Sequence, residues 1–125
     1  MSEEPKGTLT IRTLAMPKDA NPAGNVFGGW VLSQMDIAGL AAAVSHAQHD
    51  YVTVAIENMK FLAPVHVGDF VCCYTQIERV GRTSIHINIE TWALSPCETE
   101  RRKVTSGVFS FVALGENRKP TPVES

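Results

Sequence analysis

The stretch Gly28-Gly29-Trp30-Val31-Leu32-Ser33-Gln34-Met35-Asp36-Ile37-Ala38-Gly39-Leu40-Ala41-Ala42-Ala43-Val44-Ser45-His46 decides the fold. Apolar residues fall on nearly every face of a 3.6-residue period, so it reads as a buried helix rather than a surface amphipathic one. At ~1.5 Å per residue it makes a rod of about 28 Å. A helix apolar all round needs cover on every side. One small sheet curling round it supplies part, and a second copy of the chain supplies the rest.

On either side of the helix the period changes to two. Thr8 to Ala15 alternates Leu9, Ile11 and Thr13 against Thr10, Arg12 and Leu14, and a breaker-rich loop, Pro17 to Asn25, leads into the helix. After it, strands are expected over Tyr51 to Leu62, Phe70 to Val80, Thr83 to Leu94 and Lys103 to Leu114. The third of these is the clearest, with Ile85, Ile87 and Ile89 alternating against His86, Asn88 and Glu90. Ala63 to Asp69, Gly81-Arg82 and Ser95 to Arg102 read as the turns between them, and such short connections favour an antiparallel sheet. Gly107 inside the last strand signals a bulge or a close backbone approach. The expectation is an α+β chain: a long central helix wrapped by an antiparallel sheet, in one domain over residues 1–125, with a loosely ordered tail over 115–125.

Composition narrows the function classes. A chain of 125 residues is large enough for one core without staples, and 44% hydrophobic with 19% charged residues excludes disorder. A net charge of −2 argues against a dedicated nucleic-acid binder. Cys72, Cys73 and Cys97 are an odd set with two neighbours adjacent, a poor disulfide framework that fits a reducing cytosol. The leader Met1-Ser2-Glu3-Glu4-Pro5-Lys6 lacks the apolar core of a signal peptide, and the apolar run Ile37 to Val44 is far short of a membrane span. A cytoplasmic protein is expected.

Asp36 is the residue that does not fit. An unpaired buried carboxylate is costly, so it must be hydrogen-bonded, protonated or facing a cavity. It is either a backbone-bonded structural Asp or a catalytic carboxylate, and Ser33, one turn earlier, is placed to orient it. Gly24-Asn25-Val26-Phe27-Gly28-Gly29-Trp30 runs directly into the helix. It is either an entry turn that needs glycine for steric reasons or a set of free N–H donors aimed at an oxyanion. It matches neither a P-loop nor a GxGxxG fingerprint, and no Gly-x-Ser-x-Gly elbow exists. His46 and His49 find no third metal ligand at a useful spacing, so no metal site is expected. Cys72 and Cys73 point to opposite faces as filler, and His86 is assigned to the solvated sheet face. Arg79, Arg82, Arg101, Arg102 and Lys103 flank two turns, and Arg82-Thr83-Ser84 joins charge to hydroxyls suited to a phosphate.

Several stretches resemble the hotdog-fold acyl-CoA thioesterases of the bacterial YciA type. They are Arg12 to Pro17, Asp19-Ala20-Asn21, Gly24 to Trp30, Ser33-Gln34-Met35-Asp36, Phe61 to Val65, Val67-Gly68-Asp69, Cys72-Cys73-Tyr74, Thr83-Ser84-Ile85 and Pro122-Val123-Glu124. The resemblance is collinear over nearly the whole chain. It implies a single hotdog domain, a homodimer at minimum, assembly as a trimer of dimers, and hydrolysis of acyl-CoA without metal or organic cofactor. It places the acidic catalytic residue on Asp36, the catalytic asparagine on Asn21 from the opposite subunit, and the carbonyl-polarising N–H groups on Gly28 or Gly29. Arg82, Thr83 and Ser84 fall where CoA contacts are expected. A non-catalytic hotdog that binds acyl-CoA as a sensor is the alternative, since fold alone does not set function. A hotdog dehydratase ranks lower, because His46 and His49 lie at the wrong end of the helix.

Overall fold

The computed structural model describes residues 3–124. Met1 and Ser2 of the polar leader and Ser125 of the tail lie outside the described residues. The elements follow in the order β1 (Thr8–Leu14), a short 3-10 turn at Pro17–Asp19, α1 (Gly28–His46), β2 (Asp50–Phe61), β3 (Phe70–Val80), β4 (Ser84–Leu94) and β5 (Arg102–Leu114). One five-stranded sheet, ordered β1-β3-β4-β5-β2 with every pairing antiparallel, packs its inner face against α1. This is the hotdog arrangement.

The reading of Ala63 to Asp69 as a turn, which would let the four strands after the helix follow one another as neighbours, needs correction. β3, β4 and β5 do so through short turns, but β2 pairs with β5 at the far edge, so the segment 62–69 is a crossing and not a hairpin. Three strand spacings of about 4.8 Å separate its ends, well within the reach of eight extended residues. Long-range bonds hold the path: Leu62 N–H donates to Val104 O at 2.7 Å and Val26 N–H to Val65 O at 2.8 Å. Its end is locked by the buried Asp69, which accepts from Arg102 Nη2, from Ser95 Oγ at 2.6 Å and from His66 N–H at 2.9 Å. Burial pushes the Asp69 carboxyl up, but the bonds from Ser95, His66 and Arg102 outweigh it and hold the group below its ordinary value.

Val31, Met35, Ala38, Gly39 and Ala43 form the buried stripe of α1. A Cβ on Gly39 would lie 2.6 Å from Phe111 Cζ and 2.9 Å from Ile89 Cδ1, so glycine is what lets the helix settle onto the sheet. The inner face contributes Ile85, Ile87 and Ile89 of β4 with Phe109 and Phe111 of β5. The opposite face of α1 is open: Ile37 is 52% exposed, Leu40 40% and Val44 37%. The all-round apolar pattern therefore exceeds what one sheet can cover.

Cys73 belongs to this core, where burial pushes its thiol up to about 11, while Cys72 joins Tyr74 and Trp92 in a separate outer cluster. The pair therefore faces opposite ways along β3. The irregularity signalled by Gly107 lies in its partner strand. The β2 register slips between Glu57 and Lys60, Asn58 takes φ 60°, and a Cβ on Gly107 would sit 3.3 Å from Glu57 O. The tail expected to be loose lies against the body instead, with Thr121 N–H bonded to Ala113 O and the Val123 side chain buried. No helix among the described residues is long and apolar enough to cross a membrane.

Candidate active site

Asp36 projects from the middle of α1 and is half-buried. Thr53 of β2 donates its hydroxyl to Asp36 Oδ1 at 2.6 Å, and Oδ2 has no hydrogen-bond partner among the described residues. A carboxylate held by one oxygen and open at the other is placed to act on a ligand or a water. Ser33 does not orient it. Its hydroxyl turns back to Trp30 O at 2.7 Å, the usual bond of a serine inside a helix.

Around the start of α1, donors are left unused. Phe27 O accepts from the N–H groups of Trp30 and Val31, and the Phe27 side chain caps nothing. The exposed N–H groups of Gly28 and Gly29 therefore have no acceptor among the described residues, at the positive end of the helix dipole. A groove of about 400 Å³ opens beside Gly28, walled by Val26, Val31, Phe61, Pro64 and Val65. A Cβ on Gly28 would lie 3.4 Å from the Phe61 ring, an ordinary contact, so only a longer side chain here would crowd the groove; nothing lies within 4 Å of a Cβ on Gly29.

Asn21 lies in the loop ahead of the helix. Its Oδ1 accepts from the N–H groups of Ala23 at 2.9 Å and Asn25 at 3.2 Å, closing the turn that presents Val26 and Phe27 to the helix. Two backbone donors on that atom settle the amide orientation, leaving Nδ2 as the free end, a donor and not an acceptor. No hydrogen bond joins Asn21 to Asp36 among the described residues.

Arg82, Thr83 and Ser84 form the β3–β4 turn, which Gly81 N–H closes on Ser84 O at 2.8 Å. Ser84 Oγ lies 3.2 Å from His86 Nε2, which also accepts from Arg79 Nη2 at 3.0 Å; His86 Nδ1–H then donates to Ser110 Oγ at 2.8 Å. His86 is on the outer sheet face as expected, but half-buried and fully engaged rather than merely solvated. The turn lies at the C-terminal end of α1, because Val123 touches both Arg82 O and His49. Gly28 and Gly29 are at the other end of a rod of about 28 Å. One chain keeps these two sets of residues apart.

Residues 23–98 match the family model described as Thioesterase superfamily. The chain belongs to the thioesterase superfamily. The Salmonella typhimurium acyl-CoA thioester hydrolase YciA is 47% identical over 126 residues, spanning 98% of this chain and 95% of that protein. The hexameric thioesterase y2039 from Yersinia pestis has a TM-score of 0.93 at 46% identity, covering 98% of this chain and 100% of that one. HI0827, a hexameric broad specificity acyl-coenzyme A thioesterase, has a TM-score of 0.91 at 45% identity over 98% of this chain and 85% of its own.

In this thioesterase-superfamily chain, Thr53 carries no mark in the sequence, and Phe61 is marked only as part of the Phe61 to Val65 stretch and not as a site residue. Thr53 reads as one more β-branched strand former, and only the crossing of β2 beside α1 brings it to Asp36. Phe61 reads as a strand end, yet its ring walls the groove beside Gly28. The histidines are spent elsewhere: His46 Nε2 pairs with Glu124 Oε1 at 2.8 Å and His49 Nε2–H donates to Val123 O at 2.9 Å. Among the described residues no group of three candidate metal ligands exists.

Proposed function

We propose that this chain hydrolyses acyl-CoA thioesters to a free carboxylic acid and CoA, with Asp36 as the residue that activates water. The observation that carries the reading is the Asp36 carboxylate, set in an otherwise apolar helix, held at Oδ1 by Thr53 and open at Oδ2. In the proposed step Asp36 takes a proton as water oxygen bonds to the thioester carbonyl carbon. The developing oxyanion is met by the N–H groups of Gly28 or Gly29 and by Asn21 Nδ2. Collapse breaks the C–S bond and CoA leaves as a thiolate, which is protonated by solvent. So stable a leaving group needs no strong general acid, no Lewis acid and no organic cofactor. The occupied Oδ1 of Asn21 favours carbonyl binding over acceptance of a water proton.

The site is read as shared between two copies. The open Ile37, Leu40 and Val44 face of α1 and the unpaired edge of β2, with Val52, Val54 and Ile56 exposed, form the surface for a second chain. Antiparallel apposition brings the glycine end of one helix toward the partner's opposite end, where the Arg82–Ser84 turn would hold CoA phosphate. Three such dimers make the hexamer that the solved relatives form. With three cysteines free, a reducing cytosol is the proposed setting.

The test is thiol release from a panel of short to long acyl-CoAs. Hydrolysis is expected, and Asp36→Asn is expected to keep the oligomer while losing roughly a thousandfold in kcat. Wild-type turnover by that variant would sink the role of Asp36. Binding without hydrolysis by the unaltered protein would leave an acyl-CoA sensor instead. Transfer of labelled oxygen from water into Asp36 during a single turnover would favour direct carboxylate attack through a mixed anhydride.

A further inference from the structure

We infer that the C-terminal segment around Val123 is a positioning element for CoA recognition, fixing the β3–β4 turn from behind. The inference rests on the reading of Arg82, Thr83 and Ser84 as the CoA phosphate contacts. Val123 N–H donates to Arg82 O at 2.8 Å, its own carbonyl accepts from His49 Nε2–H at 2.9 Å, and its side chain is only 2% exposed. On either side, Thr121 N–H bonds Ala113 O at 2.9 Å and Glu124 Oε1 pairs with His46 at 2.8 Å. Ala113 N–H in turn donates to Thr83 O at 2.8 Å. The backbone carbonyls of Arg82 and Thr83 are thus both held, one by the tail and one by the strand the tail lies on. Pro120 and Pro122 fix their own φ and favour extended backbone at Lys119 and Thr121, which narrows the paths by which the segment reaches Arg82.

The Arg82 side chain itself is exposed and has no partner among the described residues. A cation on a loose three-residue turn would lose freedom on meeting a phosphate, and that loss subtracts from affinity. Holding the turn's backbone beforehand removes part of the cost. The effect belongs to binding of the nucleotide end of CoA and not to bond breaking, because Val123 bonds to the turn and to His49 and makes no hydrogen bond to Asp36, Asn21 or the helix-entry glycines.

The experiment uses the full-length protein and two substrates with the same acyl group, one on CoA and one on pantetheine, which lacks the nucleotide. Val123→Gly is expected to raise KM for acyl-CoA about tenfold with kcat unchanged, and to leave kcat/KM for acyl-pantetheine at the wild-type value. Val123→Ile is expected to restore wild-type behaviour. His49→Ala, which spares the buried side chain, should shift KM in the same direction by about threefold and decides the question if Val123→Gly fails to fold. Equal losses on both substrates would assign the tail a merely structural role and overturn the inference. Arg82→Ala separates the two layers. If it raises KM for acyl-CoA while the tail variants do not, the CoA reading stands and the positioning role falls. An Arg82→Ala variant with wild-type KM removes both.

Discussion

The two ends of α1 are finished in opposite ways. At the C-terminal end several groups are tied: Ala47 N–H bonds Ala43 O, Tyr51 OH donates to Ala47 O at 2.6 Å, and His46 and His49 hold the tail. At the N-terminal end the Gly28 and Gly29 N–H groups have no acceptor among the described residues, and Gly28 lines a groove. A helix end left uncapped forgoes stability that capping typically supplies, about 1 kcal/mol. Under the proposed function, the donors left open at the N-terminal end are the ones that meet the thioester carbonyl.

The contrast can be broken at the open end with the largest effect. Gly28→Leu would fill the gap to Phe61 and is expected to cut kcat/KM by about a hundredfold or more, with the melting temperature little changed. Thr53→Val removes the one bond that holds Asp36 and should lower kcat about tenfold, with Thr53→Ser restoring it, measured as turnover at saturating acyl-CoA. The crossing beneath the open end should fail first in acid. Because Asp69 titrates below its unfolded value, its bonds contribute fully above the ordinary carboxylate range and are lost as pH falls through the lowered value. Unfolding followed by circular dichroism should therefore show stability declining below about pH 4, and Asp69→Asn should flatten that decline. At the tied end, Tyr51→Phe should cost only about 1 kcal/mol of stability and leave kcat alone. Burial holds the Tyr51 phenol above its usual range, so it remains a donor throughout such assays.

What could be read from the residues follows the same division. The bounds of α1 and β3 coincide with the sequence reading, and the other strands differ by one residue at their ends. Ile85, Ile87 and Ile89 announce their common face because strand geometry alone imposes the two-residue period. Asp36 stands out because a charge inside an apolar helix is costly wherever that helix packs. The path of segment 62–69 did not stand out, since Pro64 and Gly68 suit a hairpin and a crossing equally well. The choice depends on β2 pairing with β5, some fifty positions away.

The sequence by itself determined the elements, the anomaly at Asp36 and the surplus of apolar surface on the helix. Each follows from interactions between residues a few positions apart, or from the cost of removing a group from water. Only the tertiary structure decided that Thr53 and not Ser33 holds Asp36, that Asn21 offers its amide N–H₂, and that the tail reaches Arg82. Those are hydrogen bonds set by long-range or loop geometry, formed where the fold brings donor to acceptor. A hydroxyl or an amide has the same local signature whether or not such a partner is waiting.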